Sequence, residues 1–280
     1  MPMLMECETR DAGASFTEYP QEDLLNAFLA SVAAADQSVL LMDFDGTLAP
    51  FRIDPSKVKP WAGVVKLLDD IQKTTRTRLA IISGRPARDV ASALGMATPP
   101  EIWGSHGAER LLPDGRIQLD ELLPRQNEAL NAAKHMLHEA GVVNMPGLRL
   151  EEKWNAAAVH WRGKSQTSAR LAHQRISELL SPFARSAGMT LLQFDGGIEL
   201  RAGRDKGMAV RLLLAEMPSA APVAFLGDDV TDEDAFRALA GRGLGILVRR
   251  EWRPSTARIW LRPPVQLREF LSGWLVAQRC

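Results

Sequence analysis

The sequence predicts an α/β fold: a doubly wound, Rossmann-like parallel sheet into which an α+β cap is inserted. Three observations carry this. Short unbroken apolar runs alternate with amphipathic stretches, the alternation stops near residue 112 and resumes at Lys206, and two of the apolar runs end in closely spaced aspartates. Uninterrupted apolar runs suit strands buried on both faces, as in a parallel sheet sandwiched by helices, rather than hairpins.

The first twenty residues carry Glu6, Glu8, Arg10, Asp11 and Glu18 without the basic start and apolar stretch of a secretory signal, and are expected to form a flexible tail. SVLLMDFDG (38–46) then reads as a strand, followed by a helix over 61–73, a strand at RLAIISGR (78–85), a helix over 88–94 and the short strand EIWG (101–104). Residues 113–196 break the rhythm with a helix over 127–140, alternating segments over 148–162, a helix over 166–180 and a strand over 190–194, which together read as the cap. From Lys206 the βα pattern returns: a helix to about residue 214, the strand VAFLGDD (223–229), a helix over 232–240 and the strand LGILV (244–248). Pro263 and Pro264 punctuate the chain before a last helix over 266–277. The expected core is therefore 21–112 together with 197–280, and the cap 113–196.

With 280 residues and 46% hydrophobic content the chain is able to bury a full core. Lys plus Arg equals Asp plus Glu at 34 each, so there is no basic excess of the kind that binds nucleic acid. Cys7 and Cys280 supply neither a disulfide framework nor a zinc cluster, which suits a reducing cytoplasm. No apolar run approaches the roughly 20 residues that span a bilayer.

Open α/β sheets bind ligands beyond the carboxyl ends of their strands, and that is where the charged residues fall. Asp43 and Asp45 close the first strand; Asp228 and Asp229 close a later one, with Asp232 three residues on. Buried strands do not end in acids for packing reasons, because an ionised carboxylate in apolar surroundings costs several kcal/mol unless a metal or donor compensates. Several carboxylates from two strands make a hard oxygen site suited to Mg²⁺. Ser83, Gly84 and Arg85 sit where a strand opens into a helix, a setting that offers N–H groups and a hydroxyl to phosphate, and Lys206 stands as a fixed positive charge. Nucleophile, metal, anion clamp and a second carboxylate for protons are the parts of phosphoryl transfer.

DFDGTLAP, IISGR, DKG and FLGDDVTDEDAF resemble the four motifs of the haloacid-dehalogenase superfamily of phosphatases, in order and on matching elements. The resemblance implies that Asp43 is phosphorylated, that Asp45 protonates the leaving oxygen and later activates water, and that Asp43, Asp228 and the Asp45 carbonyl hold Mg²⁺, with Asp229 and Asp232 supporting the metal. Ser83, Gly84, Lys206 and Thr47 would meet the phosphate. A cap inserted after the second motif resembles the branch containing trehalose-6-phosphate, sucrose-phosphate and mannosyl-3-phosphoglycerate phosphatases. GSHGAE (104–109), LEEKWNAAAVHWR (150–162), GIELR (197–201) and GDDVTDEDAF (227–236) are most similar to the trehalose-6-phosphate phosphatases. That similarity implies a small sugar-phosphate substrate, functional coupling to a trehalose-6-phosphate synthase, and sugar contacts from Arg85, His106, Glu109, Glu151, Lys153, His160, Arg162 and Glu199.

Plainer roles stand beside these. Ser83 is placed to cap the following helix, and Asp232 and Glu233 to favour a helix N-terminus. His135 and His138, three apart on a helix without a carboxylate partner in the pattern, read as surface; Trp154 and Trp161 read as cap packing rather than sugar stacking. Lys153 and His160 have opposite parity, so a turn or bulge near Asn155 is required if both are to face one site. The rival functions are the same chemistry on another sugar phosphate, a phosphomutase, and a sugar-phosphate sensor without catalysis.

Overall fold

A computed structural model describes residues 19–52, 54, 57–194, 196–239 and 241–279. Residues 1–18 of the expected tail, with Cys7 and Cys280, lie outside the described residues, whereas Tyr19 already opens helix α1 (Tyr19–Ala34). The core then runs β1 (Ser38–Met42), α2 (Val64–Thr74), β2 (Thr77–Ile82), α3 (Ala87–Leu94), β3 (Glu101–Gly104), β4 (Glu109–Leu111) and β5 (Ile117–Leu119). The chain next forms α4 (Pro124–Glu139), β6 (Arg149–Glu152), β7 (Ala156–His160), α5 (Gln166–Ala187), β8 (Thr190–Phe194) and β9 (Gly197–Arg201). It returns through α6 (Lys206–Ala215), β10 (Val223–Gly227), α7 (Glu233–Ala238), β11 (Gly243–Val248), β12 (Ile259–Leu261) and α8 (Val265–Gln278).

Eight strands form the core sheet in the order β12-β11-β10-β1-β2-β3-β4-β5. Pairing is parallel from β12 to β3 and antiparallel through β4 and β5. All of β1 is buried because both faces are covered. Leu40 and Met42 enter one apolar layer with α2, α3 and α8, while Val39 and Leu41 enter the other with α6 and α7. This explains why the strand reads as an unbroken apolar run: neither face meets water.

The cap is a four-stranded antiparallel sheet, β6-β7-β9-β8. Ala157, Val159, Ile198 and Leu200 share its apolar core with Leu130 and Leu137 of α4 and Ile176 and Leu180 of α5. Two boundaries differ from the sequence expectation. Gly197–Arg201, placed with the core half 197–280, is a central cap strand paired to β7 and β8. Ile117–Leu119, placed in the cap, instead pairs with β4 at the edge of the core sheet. Where the chain leaves the core and where it returns lie together, since Arg204 pairs with Asp120 at 2.5 Å. Among the described residues no helix is long and apolar enough to cross a membrane.

Candidate active site

Asp43 and Asp228 are neighbours because their strands are. Met42 lies opposite Leu226, and the Asp43 N–H donates to the Leu226 carbonyl at 2.8 Å. The loop after β1 then turns at Gly46, with φ +90°, where a Cβ would lie 2.2 Å from Asp228 Oδ2; glycine is required both for the backbone and for this approach. From the other side Lys206 opens α6, buried, and donates to Asp43 Oδ1 at 2.6 Å and Asp232 Oδ1 at 2.7 Å. The second oxygen of Asp232 accepts the N–H groups of Asp228 and Asp229 at 2.9 and 3.0 Å.

Burial pushes the Asp43 carboxyl up to about 7 despite the pull of Lys206. Burial, reinforced by Asp43, Asp232 and Asp229, raises Asp228 well above the usual carboxylate range. Lys206 goes the other way from what burial alone would do: Asp232 and Asp43 outweigh desolvation and hold its pKa up. Asp228 Oδ1 is buried without a hydrogen-bond partner among the described residues. Carboxylate oxygens of Asp43, Asp228 and Asp232 lie within 4.8 Å of one another. Both oxygens of Asp232 are already occupied by donors, so Asp43 and the orphaned oxygen of Asp228 are the ones that fit a small hard cation.

The expected anion clamp follows β2. Ser83 is buried, its N–H donating to the Trp103 carbonyl at 2.8 Å and its Oγ accepting the Arg85 N–H at 3.2 Å. Gly84 is crowded, since a Cβ there would lie 2.7 Å from His106 Nε2. Arg85 grips Asp45 with both carboxylate oxygens engaged, Nε to Oδ2 at 2.5 Å and Nη2 to Oδ1 at 2.6 Å. Burial opposes the Arg85 charge, but Asp45 outweighs it and raises the guanidinium pKa.

These groups open into a cavity of 590 Å³ roofed by the cap, within the ~300–1,000 Å³ of small-molecule sites. Every residue given a catalytic, phosphate, metal or sugar role in the sequence lines it except Thr47, Glu109 and Asp232. Thr47 is fully buried beneath the first loop, its carbonyl accepting the Trp61 indole N–H at 3.2 Å. Asp232 lies below the floor, where it holds Lys206. Glu109 is a strut: it accepts Ser105 Oγ–H at 2.7 Å, Trp154 Nε1–H at 2.9 Å and the Ala87 N–H at 2.8 Å. It thereby ties the 105–109 loop to α3 and to the cap. In that loop Ser105 and His106 both take positive φ, 48° and 60°, which is strained for residues with side chains and directs His106 at the cavity.

The cap wall is built by register. Glu151, Ala158, Glu199 and Leu192 form one cross-strand row, and Arg149, His160, Gly197 and Phe194 another. Both rows turn toward the cavity. Lys153 sits outside them in a tight turn, its N–H donating to the Ala156 carbonyl at 2.9 Å, so the parity conflict with His160 disappears: Lys153 belongs to the turn that joins β6 to β7, and His160 to β7. Lys153 Nζ donates to Glu199 Oε2 at 2.9 Å and to the core carbonyl of Gly84 at 2.8 Å. Against the cost of burial, Lys153 and His106 hold Glu199 well below its ordinary range. His106 is pushed down to about 3 by burial and by Arg201, so it faces Glu199 Oε1, 3.2 Å away, as a neutral imidazole. Burial would raise Glu151, but His160 at 2.7 Å and Lys153 bring it to about 2. Arg162 stacks over Phe51, 4.1 Å from the ring centroid, linking cap to core.

Phe51, Arg52, Arg149, Leu192 and Phe194 also line the cavity and were not foreseen. The cap three follow from the register rows, which no single-strand pattern reveals. Arg253 is a further omission: it donates to the carbonyls of Asp228 and Asp229 at 3.2 and 2.7 Å and pairs with Glu233 at 2.7 Å, fixing the acidic loop from behind. His138 pairs with Glu152 and His135 with Glu139 on the surface. Trp161 packs in the cap core, and Trp154 serves Glu109.

Aspartates at the carboxyl ends of adjacent central strands, under a cap inserted in the chain, define the haloacid-dehalogenase class of fold. A phosphatase of that haloalkanoate (HAD) enzyme superfamily from Bacteroides thetaiotaomicron shares the fold with a TM-score of 0.58 at 18% identity, over 85% of this chain and 94% of that one. The trehalose-6-phosphate phosphatase C-terminal domain of C. albicans shares it with a TM-score of 0.73 at 21% identity, over 91% and 96%. A sequence profile described as Trehalose-phosphatase matches residues 41–258, and the chain belongs to that family. The trehalose-phosphate phosphatase of Mycobacterium marinum is 34% identical over 265 residues, which cover 85% of this chain. The chain spans 61% of the length of that relative.

Proposed function

We propose that the chain hydrolyses trehalose 6-phosphate to trehalose and orthophosphate through a phosphorylated Asp43. The observation that carries the reading is the buried Asp43–Lys206–Asp232 cluster beside the orphaned oxygen of Asp228, at the floor of a cavity whose roof is polar. Asp43 supplies the attacking oxygen, and Lys206 orients it while keeping a positive charge next to the phosphoryl group. As the Asp43–phosphorus bond forms, the bond from phosphorus to the sugar oxygen breaks, and Asp45 delivers a proton to that oxygen. Asp45 then takes a proton from the water that attacks phosphorus, the acyl-phosphate bond breaks, and the Asp43 carboxylate and orthophosphate separate. Arg85 holds Asp45 in the ionised pose of the second step; an arriving phosphate offers the guanidinium another anion and frees Asp45 to carry a proton. Mg²⁺ held by Asp43, Asp228 and the Asp45 carbonyl would supply positive charge against the phosphoryl oxygens.

Ser83 and Gly84 border the phosphate end, and Glu151, Lys153, His160, Arg162 and Glu199 offer donors and acceptors to sugar hydroxyls. The residues of the cap are thus the substrate-selecting part, and a synthase that makes trehalose 6-phosphate is the functional neighbour. The pairing of all these chemistries with a reducing cytoplasm is part of the same proposal. Phosphate release from trehalose 6-phosphate, sucrose 6-phosphate, mannosyl-3-phosphoglycerate and glucose 6-phosphate, with Mg²⁺ or EDTA, tests it in wild type and Asp43→Asn. Metal-dependent turnover of trehalose 6-phosphate that vanishes in the variant is the expected result. Preference for another ester would discard the substrate, and turnover surviving in Asp43→Asn would discard the mechanism.

A further inference from the structure

We infer a second oxyanion site, adjoining the catalytic cavity, that binds orthophosphate. A separate cavity of 440 Å³ shares Phe51, Arg52 and Asp228 with the catalytic one and is walled by Arg52, Arg249 and Arg250. Of its two acids Asp228 is committed to the acidic cluster and Glu251 is exposed, as are Arg52 and Arg250, with Arg249 half-buried, so three cations border the cavity against one solvent-facing acid. Among the described residues neither Arg52 nor Arg250 has a carboxylate partner within 4.0 Å, and the Arg249 side chain donates to the Asp228 carbonyl at 3.4 Å. Elsewhere in the core arginines at such density are neutralised, as where Arg78 and Arg110 share Glu101 and Glu216.

Guanidinium groups gathered about one cavity make it electropositive, and their planar forks suit phosphate oxygens. The Arg250 guanidinium lies 5.9 Å from the Trp61 ring centroid, a cation–π contact that leaves its N–H groups free to donate. The location is also apt. Arg249 and Arg250 directly follow β11, at the carboxyl edge of the sheet where open α/β folds bind ligands. Arg52 lines both cavities, so an anion leaving the Asp43 side meets this arginine before the second pocket. That the anion is the product of the catalytic cavity rests on the function proposed above; the site itself rests on the arginines.

Inorganic phosphate titrated calorimetrically into the Mg²⁺-loaded wild type and into Arg250→Glu tests the inference. The wild type is expected to bind two phosphates per chain, the weaker event fading as salt is raised. In Arg250→Glu that event loses roughly tenfold or more in affinity, as removal of a charge-assisted bond implies. Hydrolysis of p-nitrophenyl phosphate at saturation should be unchanged, because Arg250 does not line the catalytic cavity. A single event in the wild type, or two equal events in both proteins, overturns the second site. Because the titration reads binding rather than turnover, failure of the phosphatase reading would show as absent hydrolysis with both binding events intact.

Discussion

Asp232→Asn separates two roles that a buried acid beside a candidate metal site can play. Asp232 is fully buried, with one oxygen on Lys206 and the other on the N–H groups of Asp228 and Asp229. All three partners are donors, and an amide presents only one accepting end to them. One set of bonds therefore survives and the other is replaced by donor facing donor. Losing the charge-assisted bond to Lys206 removes about 1.5–3 kcal/mol, and leaving a buried donor unsatisfied removes about 1–3 more. The sum, about 2.5–6 kcal/mol, brackets the roughly 3–5 kcal/mol cost of breaking a buried ion pair by removing one partner. At about 2–4 °C per kcal/mol for a chain of this order of length, the midpoint should fall by about 5–24 °C in EDTA. Thermal and urea unfolding, each with EDTA and with Mg²⁺, provide the assay. A loss under about 1 kcal/mol in EDTA would refute the reasoning, and a loss seen only with Mg²⁺ would make Asp232 a metal ligand instead.

Metal binding should carry a signed pH dependence. Asp43 titrates at about 7 in the fold against an ordinary 3.8, so between those values the folded state holds the extra proton and metal-free stability falls as pH rises. Stabilisation by Mg²⁺ is therefore expected to be negligible near pH 4 and largest above pH 7, which scanning fluorimetry with and without EDTA will read. Arg85→Lys keeps the charge but loses the two-pronged hold on Asp45, and should lower kcat/KM by roughly 10–100-fold with the fold intact by circular dichroism. Lys153→Met removes the link from Glu199 to the Gly84 carbonyl; steady-state kinetics should show KM for trehalose 6-phosphate rising roughly tenfold while p-nitrophenyl phosphate, which has no sugar, is unaffected.

What could be read from the sequence was local. The strands of the sheet centre were legible because burial on both faces leaves an unbroken apolar run, as at Ser38–Met42 and Val223–Gly227. Their terminal acids were legible because nothing but chemistry puts Asp43 and Asp228 there. β4, β5 and β12 were not, being only three residues each, with β5 and β12 at the two edges of the sheet and β4 next to one of them, where neighbours rather than propensity decide. The cap contacts divided along the same line. Glu151 and His160 were visible as polar residues in a strand-like stretch, but their juxtaposition with Leu192 and Phe194 is a fact of register across three strand pairs. Glu109 carried a site-like motif, and its carboxylate lies off the cavity among three donors that come from α3, from its own loop and from the cap.

Asp120 and Arg204 clasp the chain at the point where it departs from the core and the point where it comes back. Everything between them is a side branch: no strand of the eight-stranded sheet depends on it for order or direction. The branch hangs from one place while its far contact, Lys153 on the Gly84 carbonyl, fastens the opposite edge. Such a layout makes the roof of the cavity an exchangeable module. A short turn from residue 120 to residue 204 would leave Asp43, Lys206 and Asp228 on their original supports, and a different insertion grafted at the same two points would keep that cluster while giving it another roof.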